Sequence, residues 1–469
     1  MTSTKASEDS YILGRSQTQS TFSETSSIGD TKQLVTDDGD KNGQEQSSMP
    51  MTSINMINSI VGSGVIGIPY ALKQSGFLFG TFLLILVAVI TDYSILLLVQ
   101  GGRLSNTDTY QDVVLVAFGR PGFYLLTVLQ FLYPFIAMIS YQVIIGDTIT
   151  KCFLRVGGDY LEGTVLVNRH FCIFLTTLVV TLPLSLYRDV AKLSKWAFVA
   201  MILIVFIIVC ICVRIPDFSD VRATADAWTL FDYNFAQSIG IMTFAYMCHH
   251  NTFLIHQSLE NPTEKRFQIV THFSFLFSLL IMLLIGVLGY VTFTGYTQGD
   301  LLENYCKTDD LMNVARLCFA ITIMLTYPLE CFVVRHVFEN SFFAVTEKAP
   351  MWRHLSVTIS VAAATVLIAM TTDCLGIVLT FNGVVVACPL AFIIPPLCVM
   401  KLRQEPVLSK ENVFPILVAT FGILASVIGV IVAVYNLTKG IECSHGKEMF
   451  YCLTPSRING SMLASNTTL

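Results

Sequence analysis

The sequence predicts an all-α protein that crosses a membrane many times. Its 469 residues are 53% hydrophobic and only 13% charged, with a mean hydropathy of +0.65, whereas about a quarter of the residues of soluble proteins are charged. A helix needs about 20 apolar residues to cross the hydrocarbon core. Eleven runs of suitable length occur, at about 52–73, 77–100, 121–150, 169–186, 196–213, 235–255, 270–295, 311–337, 355–372, 374–400 and 412–436. We therefore expect eleven transmembrane helices.

The first fifty residues differ from the rest of the chain. They contain seventeen Ser or Thr, eight acidic and four basic residues and few apolar ones, so burial cannot offset the entropy lost on ordering. We expect a disordered cytosolic tail at 1–50, a transmembrane domain at 51–436 and an external tail at 437–469. No apolar core of a signal peptide stands near the N-terminus, so the first span is expected to target the chain to the membrane.

Charge in the short loops predicts the orientation. With the N-terminus inside, the internal loops carry thirteen Lys or Arg and the external loops seven, in keeping with the positive-inside rule. An odd number of spans then places the C-terminal tail outside. Asn459 and Asn466 begin glycosylation acceptor patterns there. The net charge of −5 and the absence of a basic cluster argue against a nucleic-acid partner.

Cysteines in the predicted external segments are candidates for disulfides, which persist in oxidising compartments. Cys443 and Cys452 both lie in the C-terminal tail, and we expect them to pair. Cys152 and Cys306 lie in or beside external loops and are the other possible pair.

Glycines interrupt the first span, in the stretch INSIVGSGVIGIP from Ile57 to Pro69. Gly62, Ser63 and Gly64 fall near its middle. Unwound backbone is tolerated at that depth only where it is buried in protein or lines a polar cavity. Close helix packing is the alternative explanation, since small residues are common where membrane helices touch.

The sixth span carries a second interruption, in FAQSIGIMTFAYMCHHNTFLIH. It contains Gly240 and then the polar run Cys248 to Asn251, which is costly at membrane depth unless it faces a wet interior. Spans one and six run in opposite directions. This pattern predicts two five-helix units of inverted topology, each with a broken first helix, and a binding site where the two breaks meet.

Three stretches resemble a known family: NMINSIVGSGVIGIPYALKQSG in the first span, FAYMCHHNTFLIHQSLENPTEKR in and after the sixth, and ARLCFAITIMLTYPLECFVVRHVF in the eighth. They are similar to the sodium-coupled neutral amino acid transporters, within the amino acid/auxin permease family. The resemblance runs from about 53 to 435. It implies eleven spans, a five-plus-five inverted (LeuT-like) repeat, a cytosolic N-terminus, and neutral amino acid uptake coupled to Na⁺ without another cofactor.

An amino acid substrate brings a carboxylate, which the free N–H groups and positive dipole end of a half-helix can receive. The predicted donors are Gly62, Ser63, Gly64 and Val65. The substrate's ammonium group and side chain are expected to face the second break, at Phe244, Ala245, Cys248 and His249. No formally charged residue stands in either break, which favours a neutral substrate.

Sodium is a hard cation that prefers oxygen ligands. The resemblance associates the ion with an Asn before the Gly-Ser-Gly and a Thr before the proline of the eighth span, and these match Asn58 and Thr326. Pro328 has no N–H and leaves a carbonyl one turn earlier unpaired. The predicted Na⁺ ligands are Asn58, Ile60, Val61, Met324 and Thr326. For Thr326 the alternative is a hydroxyl bonded back to its own helix.

These residues together predict a secondary active transporter that carries neutral amino acids with Na⁺ by alternating access, in the plasma membrane or an internal membrane. Proton coupling through Asp92 or His249 is one alternative, since the histidine side chain in general titrates near neutrality. An amino-acid sensor that signals through the N-terminal tail is another. An enzyme is disfavoured, because no paired carboxylates, metal spacing or nucleophile motif occur at a common depth.

Overall fold

Helices joined by short loops make up the described part of the chain, which contains no β-strand. The computed structural model describes residues 46–161, 163–187, 197–218, 221, 223–225, 227–342, 350–372, 374–438 and 448–452. The helices are α1 (Met49–Ile60), α2 (Ile68–Ser75), α3 (Phe77–Ser105), α4 (Tyr110–Gly157), α5 (Arg169–Ser185), α6 (Ala197–Arg214), α7 (Phe235–Tyr246), α8 (Thr252–Ser258), α9 (Glu264–Phe293), α10 (Asp310–Phe342), α11 (Met351–Thr371), α12 (Leu375–Arg403) and α13 (Val413–Thr438).

Every apolar run found in the sequence overlaps at least one of these helices. Among the described residues, seven helices are long and apolar enough to cross a membrane, and an eighth span results if the bent pair formed by Met49–Ile60 and Ser63–Ser75 counts as one. Two further apolar helices, Arg169–Ser185 and Phe198–Arg214, are shorter. The sixth predicted span is divided into α7 and α8, of 12 and 7 residues. Most of the predicted tail lies outside the described residues, and α1 begins at Met49.

Large apolar side chains cover the outside of the helix bundle. On α13 these include Phe414, Leu417, Leu424 and Ile431, all of them exposed. A surface of this kind would be unstable in water over so large an area, but it suits a lipid environment. The chain is therefore a multi-pass, all-α membrane protein.

Both helix interruptions that the sequence predicts are present. The first break lies at Val61 and Gly62, between α1 and the 3₁₀ turn Ser63–Gly67 that leads into α2, and the two halves are bent by 49°. The second break lies at Met247 and Cys248, where the backbone of Met247 is extended before the 3₁₀ turn His249–Asn251 and α8.

Gly240 is not part of the second break. The helix α7 runs unbroken through it. A Cβ atom at this position would lie 2.7 Å from Val384 Cγ1 and 3.0 Å from the carbonyl oxygen of Thr380. This glycine therefore allows α7 and α12 to pack closely, the alternative use of small residues in membrane helices.

The loop between α9 and α10 is fixed from both sides. Arg316 of α10 is fully buried and donates to the carbonyl oxygen of Leu302 through Nε (3.2 Å) and Nη2 (2.9 Å). On the other side, Tyr451 stacks on Phe293 with ring centroids 5.8 Å apart, and its hydroxyl donates to the carbonyl oxygen of Asn304 (2.8 Å). These contacts anchor the short segment 448–452 on the loop.

The disulfide expected between Cys443 and Cys452 is wrong, because Cys452 is bonded to Cys306. The docking of Tyr451 explains this pairing, since it places the adjacent Cys452 at the loop that contains Cys306. The alternative pair of Cys152 with Cys306 is wrong for the same reason; the Cys152 thiol donates instead to the carbonyl oxygen of Asn313 (3.7 Å). Cys443, Asn459 and Asn466 lie outside the described residues.

Replacing Cys306 or Cys452 by Ser is expected to lower the free energy of unfolding by about 2–4 kcal/mol, because the bond closes a long loop. The measurement is the melting temperature of the purified protein in detergent. Cys212→Ser, at an exposed free cysteine, is the control and should change it little. The pairing would be contradicted if the double variant were as stable as the protein with both cysteines.

Candidate functional site

The first break exposes fewer N–H donors than the sequence suggests. Gly62 N donates to the carbonyl oxygen of Ile60 (3.0 Å), and Val65 N donates to that of Gly62 (3.3 Å). The N–H groups of Ser63 and Gly64 begin the 3₁₀ turn and so have no acceptor within it. Of the four predicted donors, two are therefore used by the chain itself, and the N–H groups of Ser63 and Gly64 remain the candidate donors.

The side chain of Ser63 joins the first break to α4. Its Oγ lies 3.1 Å from Ser140 Oγ, which in turn donates to the carbonyl oxygen of Ala137 (2.7 Å). Since the proton of Ser140 is used in that bond, Ser63 is the donor between the two hydroxyls. A Cβ atom at Gly62 would lie 3.5 Å from the Tyr141 hydroxyl. Thus α4 lines one side of the first break with hydroxyl groups.

The two breaks touch each other at Gly64. A Cβ atom there would lie 2.7 Å from the Cα atom of Ala245 and 3.2 Å from the ring of Phe244. The backbones can approach this closely only because glycine has no side chain. The structure thus brings together three residues that the sequence assigns to substrate binding: Gly64, Phe244 and Ala245.

Tyr133 of α4 satisfies the backbone at the second break. Its hydroxyl donates to the carbonyl oxygen of Phe244 (3.2 Å), which also accepts from Met247 N (3.2 Å). Its ring centroid lies 5.7 Å from that of Phe244 and 5.0 Å from that of His250. Tyr133 is not among the residues predicted from the sequence, because nothing in a long apolar helix indicates which of its faces meets a break.

Cys248 and His249 are fully buried at the second break. His249 Nε2 lies 3.3 Å from Ser94 Oγ, and Ser94 donates to the carbonyl oxygen of Ala391, so the imidazole is the donor to Ser94. The Cys248 carbonyl oxygen accepts from the Thr252 hydroxyl (3.2 Å). His249 therefore links the break to α3 and α12 through a hydrogen bond.

A chain of polar side chains connects the first break, the second break and α10. Asn251 Nδ2 donates to Ser59 Oγ (3.1 Å) and to His250 Nε2 (2.9 Å), and His250 Nε2 lies 3.7 Å from Glu330 Oε2. Glu330 was also missed by the sequence analysis, although a carboxyl two residues after Pro328 inside an apolar run is a visible signal. A formally charged residue does therefore stand beside a break, on a neighbouring helix.

The predicted sodium ligands lie on two helices, α1 and α10, and at the first break. The Thr326 hydroxyl donates to the carbonyl oxygen of Thr322 (2.9 Å), which is the alternative foreseen for this residue. Within the described residues no hydrogen bond joins Asn58 to Thr326. Pro328 lies inside α10, so the Met324 carbonyl lacks the N–H that would otherwise bind it. The Ile60 carbonyl accepts from Gly62 N.

Asp92, the other residue considered for proton coupling, has a partner in the structure. Its Oδ2 lies 2.6 Å from Nδ1 of His272, a side chain on α9 that is 57% exposed. The pair therefore lies at the surface where α3 meets α9. Glu330, by contrast, is buried next to the second break.

A cavity of about 270 Å³ lies beside the C-terminal end of α3, α8 and the start of α9. Its lining includes Gln100, Arg103, Phe253, His256 and Glu264. None of the residues predicted to bind substrate or sodium lines it, so it is separate from the site at the breaks.

Sequence comparison identifies the family. Residues 45–437 match the family described as "Transmembrane amino acid transporter protein". The chain belongs to this family. It is 47% identical over 399 residues to a Bos taurus protein named "Putative sodium-coupled neutral amino acid transporter 11", covering 85% of each chain. The Homo sapiens protein of that name is 45% identical over 382 residues, which cover 81% of this chain and 93% of the relative.

Two more distant similarities concern the family and the fold, respectively. A Saccharomyces cerevisiae protein named "Vacuolar amino acid transporter 2" is 30% identical over 427 residues, which cover 86% of this chain and 87% of the relative. Among solved structures, a manganese transporter of Eremococcus coleocola superposes with a TM-score of 0.53 at 11% identity, covering 89% of this chain and 90% of that one. This last similarity shows a shared fold. The family and the relatives establish an amino acid transporter rather than an enzyme.

Gly64→Ala is expected to destabilise the protein by about 1–3 kcal/mol, because the added methyl group overlaps the backbone of Ala245. Gly62→Ala is the matched variant two residues away, where the methyl group would make only an ordinary contact with Tyr141. The melting temperatures of both variants in detergent test this. Equal effects at the two positions would contradict the close contact of the breaks.

Proposed function

We propose that this transporter carries neutral amino acids together with Na⁺ by alternating access. The observation that carries the proposal is the contact of two interrupted helices at Gly64 and Ala245, in a chain of the amino acid transporter family. Relatives named as sodium-coupled and neutral in substrate support both the ion and the substrate class. The site needs no cofactor besides the coupling ion, and its partners are the amino acid, Na⁺ and the lipid bilayer.

The proposed architecture is eleven spans with a five-plus-five inverted repeat of the LeuT-like kind. Matching helix lengths in the two halves support it. The first half begins with α1 and α2, of 12 and 8 residues, followed by α3 of 29; the second begins with α7 and α8, of 12 and 7 residues, followed by α9 of 30. Each half thus starts with a helix broken after its twelfth residue, as inverted repeats with a midplane site do.

The substrate carboxylate is proposed to bind the N–H groups of Ser63 and Gly64, at the positive end of the helical segment that leads into α2. The ammonium group and side chain face the second break at Phe244, Ala245, Cys248 and His249. Gly62 and Val65 shape the cradle but keep their N–H groups bonded to the chain.

Sodium is proposed to bind between α1 and α10. Its ligands would be the side-chain oxygens of Asn58 and Thr326 with backbone carbonyl oxygens. The carbonyls of Ile60, Val61 and Met324 complete the set. The Thr326 hydroxyl donates its proton to Thr322 O, which leaves its lone pairs free to face a cation.

The N-terminus is proposed to be cytosolic and the C-terminal tail external or lumenal, in the plasma membrane or an internal membrane. The bond between Cys306 and Cys452 supports this, because it joins the tail to the loop before α10, and disulfides persist on the oxidising side of a membrane. Cys374, in the turn between α11 and α12, is disulfide-bonded too. All three cysteines lie in segments that the Lys and Arg distribution places outside.

Counterflow of radiolabelled amino acids in vesicles containing the purified protein tests the function directly. Neutral amino acids are supplied one at a time, in Na⁺ or in choline. We expect at least one to be accumulated in Na⁺ and not in choline. The absence of counterflow with every neutral amino acid would overturn the proposal.

Asn58→Ala and Thr326→Ala are expected to lower Na⁺-dependent uptake about tenfold, equivalent to about 1.4 kcal/mol, because each removes an oxygen ligand of the cation. Thr292→Ala is the control, since the Thr292 hydroxyl makes the same bond to its own helix, to Leu288 O (2.7 Å). Initial uptake rates are measured against Na⁺ concentration. If Thr326→Ala and Thr292→Ala behave alike, Thr326 does not bind the ion.

Glycosylation tests the orientation. Expression in animal cells should give a protein whose gel mobility increases after enzymatic removal of N-glycans, because the tail faces the lumen. The increase should be absent from the double variant Asn459→Gln, Asn466→Gln. A tail that is never glycosylated, together with labelling of tail cysteines only after permeabilisation, would place it in the cytosol.

A further inference from the structure

Glu330 is a buried carboxyl group with an unsatisfied oxygen. Only 8% of the residue is exposed, and its Oε2 atom has no hydrogen-bond partner. It lies on α10, and the nearest potentially cationic group among the described residues is His250, 3.7 Å away at the second break. A buried carboxylate normally requires a cation or several hydrogen-bond donors.

His250 does not supply that positive charge in this arrangement. Its Nε2 accepts a hydrogen bond from Asn251 Nδ2 (2.9 Å), so the imidazole carries its proton on Nδ1 and is neutral. The Nδ1 atom has no hydrogen-bond partner. A neutral imidazole cannot balance an ionised carboxylate at 3.7 Å.

No other described group around Glu330 balances it either. From α4, the hydroxyl groups of Tyr133 and Tyr141 are close enough to interact with it electrostatically, and neither is cationic. The helix α6 offers no titratable side chain from Ala197 to Val209. Further along α10, Arg335 is bonded to the carbonyl oxygen of Ser185 (3.1 Å) and to Thr358 Oγ (3.0 Å). On α11, His354 lies 3.0 Å from the carbonyl oxygen of Leu186.

The neighbours of Glu330 suit a proton better than a metal cation. Sodium requires several oxygen ligands at once, whereas Glu330 faces imidazole and phenol groups. A proton requires one carboxylate oxygen and a nearby acceptor. We propose that Glu330, with His250, is a proton-binding site at the second break, whose protonation changes during each transport cycle.

The proton would enter from water to Glu330 Oε2 and leave to water from the same atom, with no other bond formed or broken. While Glu330 is buried without a cation, as proposed here, the proton stays on the carboxyl and the group is neutral. When the breaks open and water reaches it, the group ionises, because hydration stabilises the charge. His250 lies 3.7 Å from Glu330 and is hydrogen-bonded to Asn251, which donates to Ser59 beside the first break. A change of charge at Glu330 can therefore act on the first break through these side chains. The proposal rests on the transport function proposed above.

Glu330→Gln tests the site, since it keeps the shape and removes the ionisation. Wild-type uptake at constant Na⁺ should change several-fold between about pH 6 and about pH 8, the range in which perturbed carboxyls and imidazoles titrate. In the variant the rate should be nearly independent of pH, while counterflow at equal pH on both sides continues. A pH-sensitive dye trapped in the vesicles should report amino-acid-dependent proton movement with the wild type and none with Glu330→Gln.

Glu405→Gln, the same substitution at an exposed residue between α12 and α13, is the control and should behave as wild type. Asp92→Asn tests the alternative that Asp92 binds the proton. If Asp92→Asn loses the pH response of uptake and Glu330→Gln retains it, the proposal is overturned. Equally, wild-type counterflow without any pH response overturns the proton site alone. Absence of wild-type counterflow at equal pH and Na⁺ overturns the transport function instead.

Glu330→Gln is taken as folded if it elutes as a single peak in size-exclusion chromatography. If it does not, a second variant is used. Glu330→Asp retains a carboxyl on a shorter side chain, and its pH response should persist with a shifted midpoint. An unshifted midpoint in a folded Glu330→Asp protein would overturn the assignment, since moving the titrating group must alter its environment.

Discussion

Hydrocarbon offers no hydrogen-bond partner to the protein backbone, and the whole site depends on how the two breaks satisfy this constraint. At the second break the Tyr133 hydroxyl reaches the Phe244 carbonyl, and at the first Ser140 holds the side chain of Ser63. Both partners belong to α4. This long helix therefore stabilises two unwound segments, while the N–H groups of Ser63 and Gly64, the proposed substrate donors, have no acceptor within the 3₁₀ turn.

The contact of Gly64 with Ala245 couples movement of the broken helices to the volume between the two breaks. Because the two backbones touch without an intervening side chain, a tilt of α2 relative to α7 must change the volume between the breaks. Packed interfaces tend to switch between discrete arrangements rather than deform continuously. In the alternating-access cycle proposed above, a small rotation of the broken helices would open the site to one side of the membrane and then to the other.

Properties encoded locally could be predicted from the sequence, and those set by tertiary packing could not. The length of an apolar run and the Gly-Ser-Gly stretch are local, so the helices and the first break follow from them. Gly240 shows the limit, because a glycine serves a break and a close contact equally well. The partner of Cys452 depends on where Tyr451 docks. The roles of Tyr133 and Glu330 depend on which faces of their helices meet the breaks. Only the family resemblance extended prediction to the site itself.

The position of Glu330 changes the argument for a neutral substrate. The absence of charge in either break suggested a zwitterion, but a carboxyl from α10 lies next to the second break. Thr326 precedes it by four residues and so lies about 6 Å away along the same helix face. If Na⁺ binds beside Thr326 as proposed, its charge favours the ionised carboxylate, whereas without the ion the protonated form is favoured at a dry site. Occupancy of the cation site and protonation of Glu330 are then linked by electrostatics alone, and a zwitterion, having no net charge, can bind in either state.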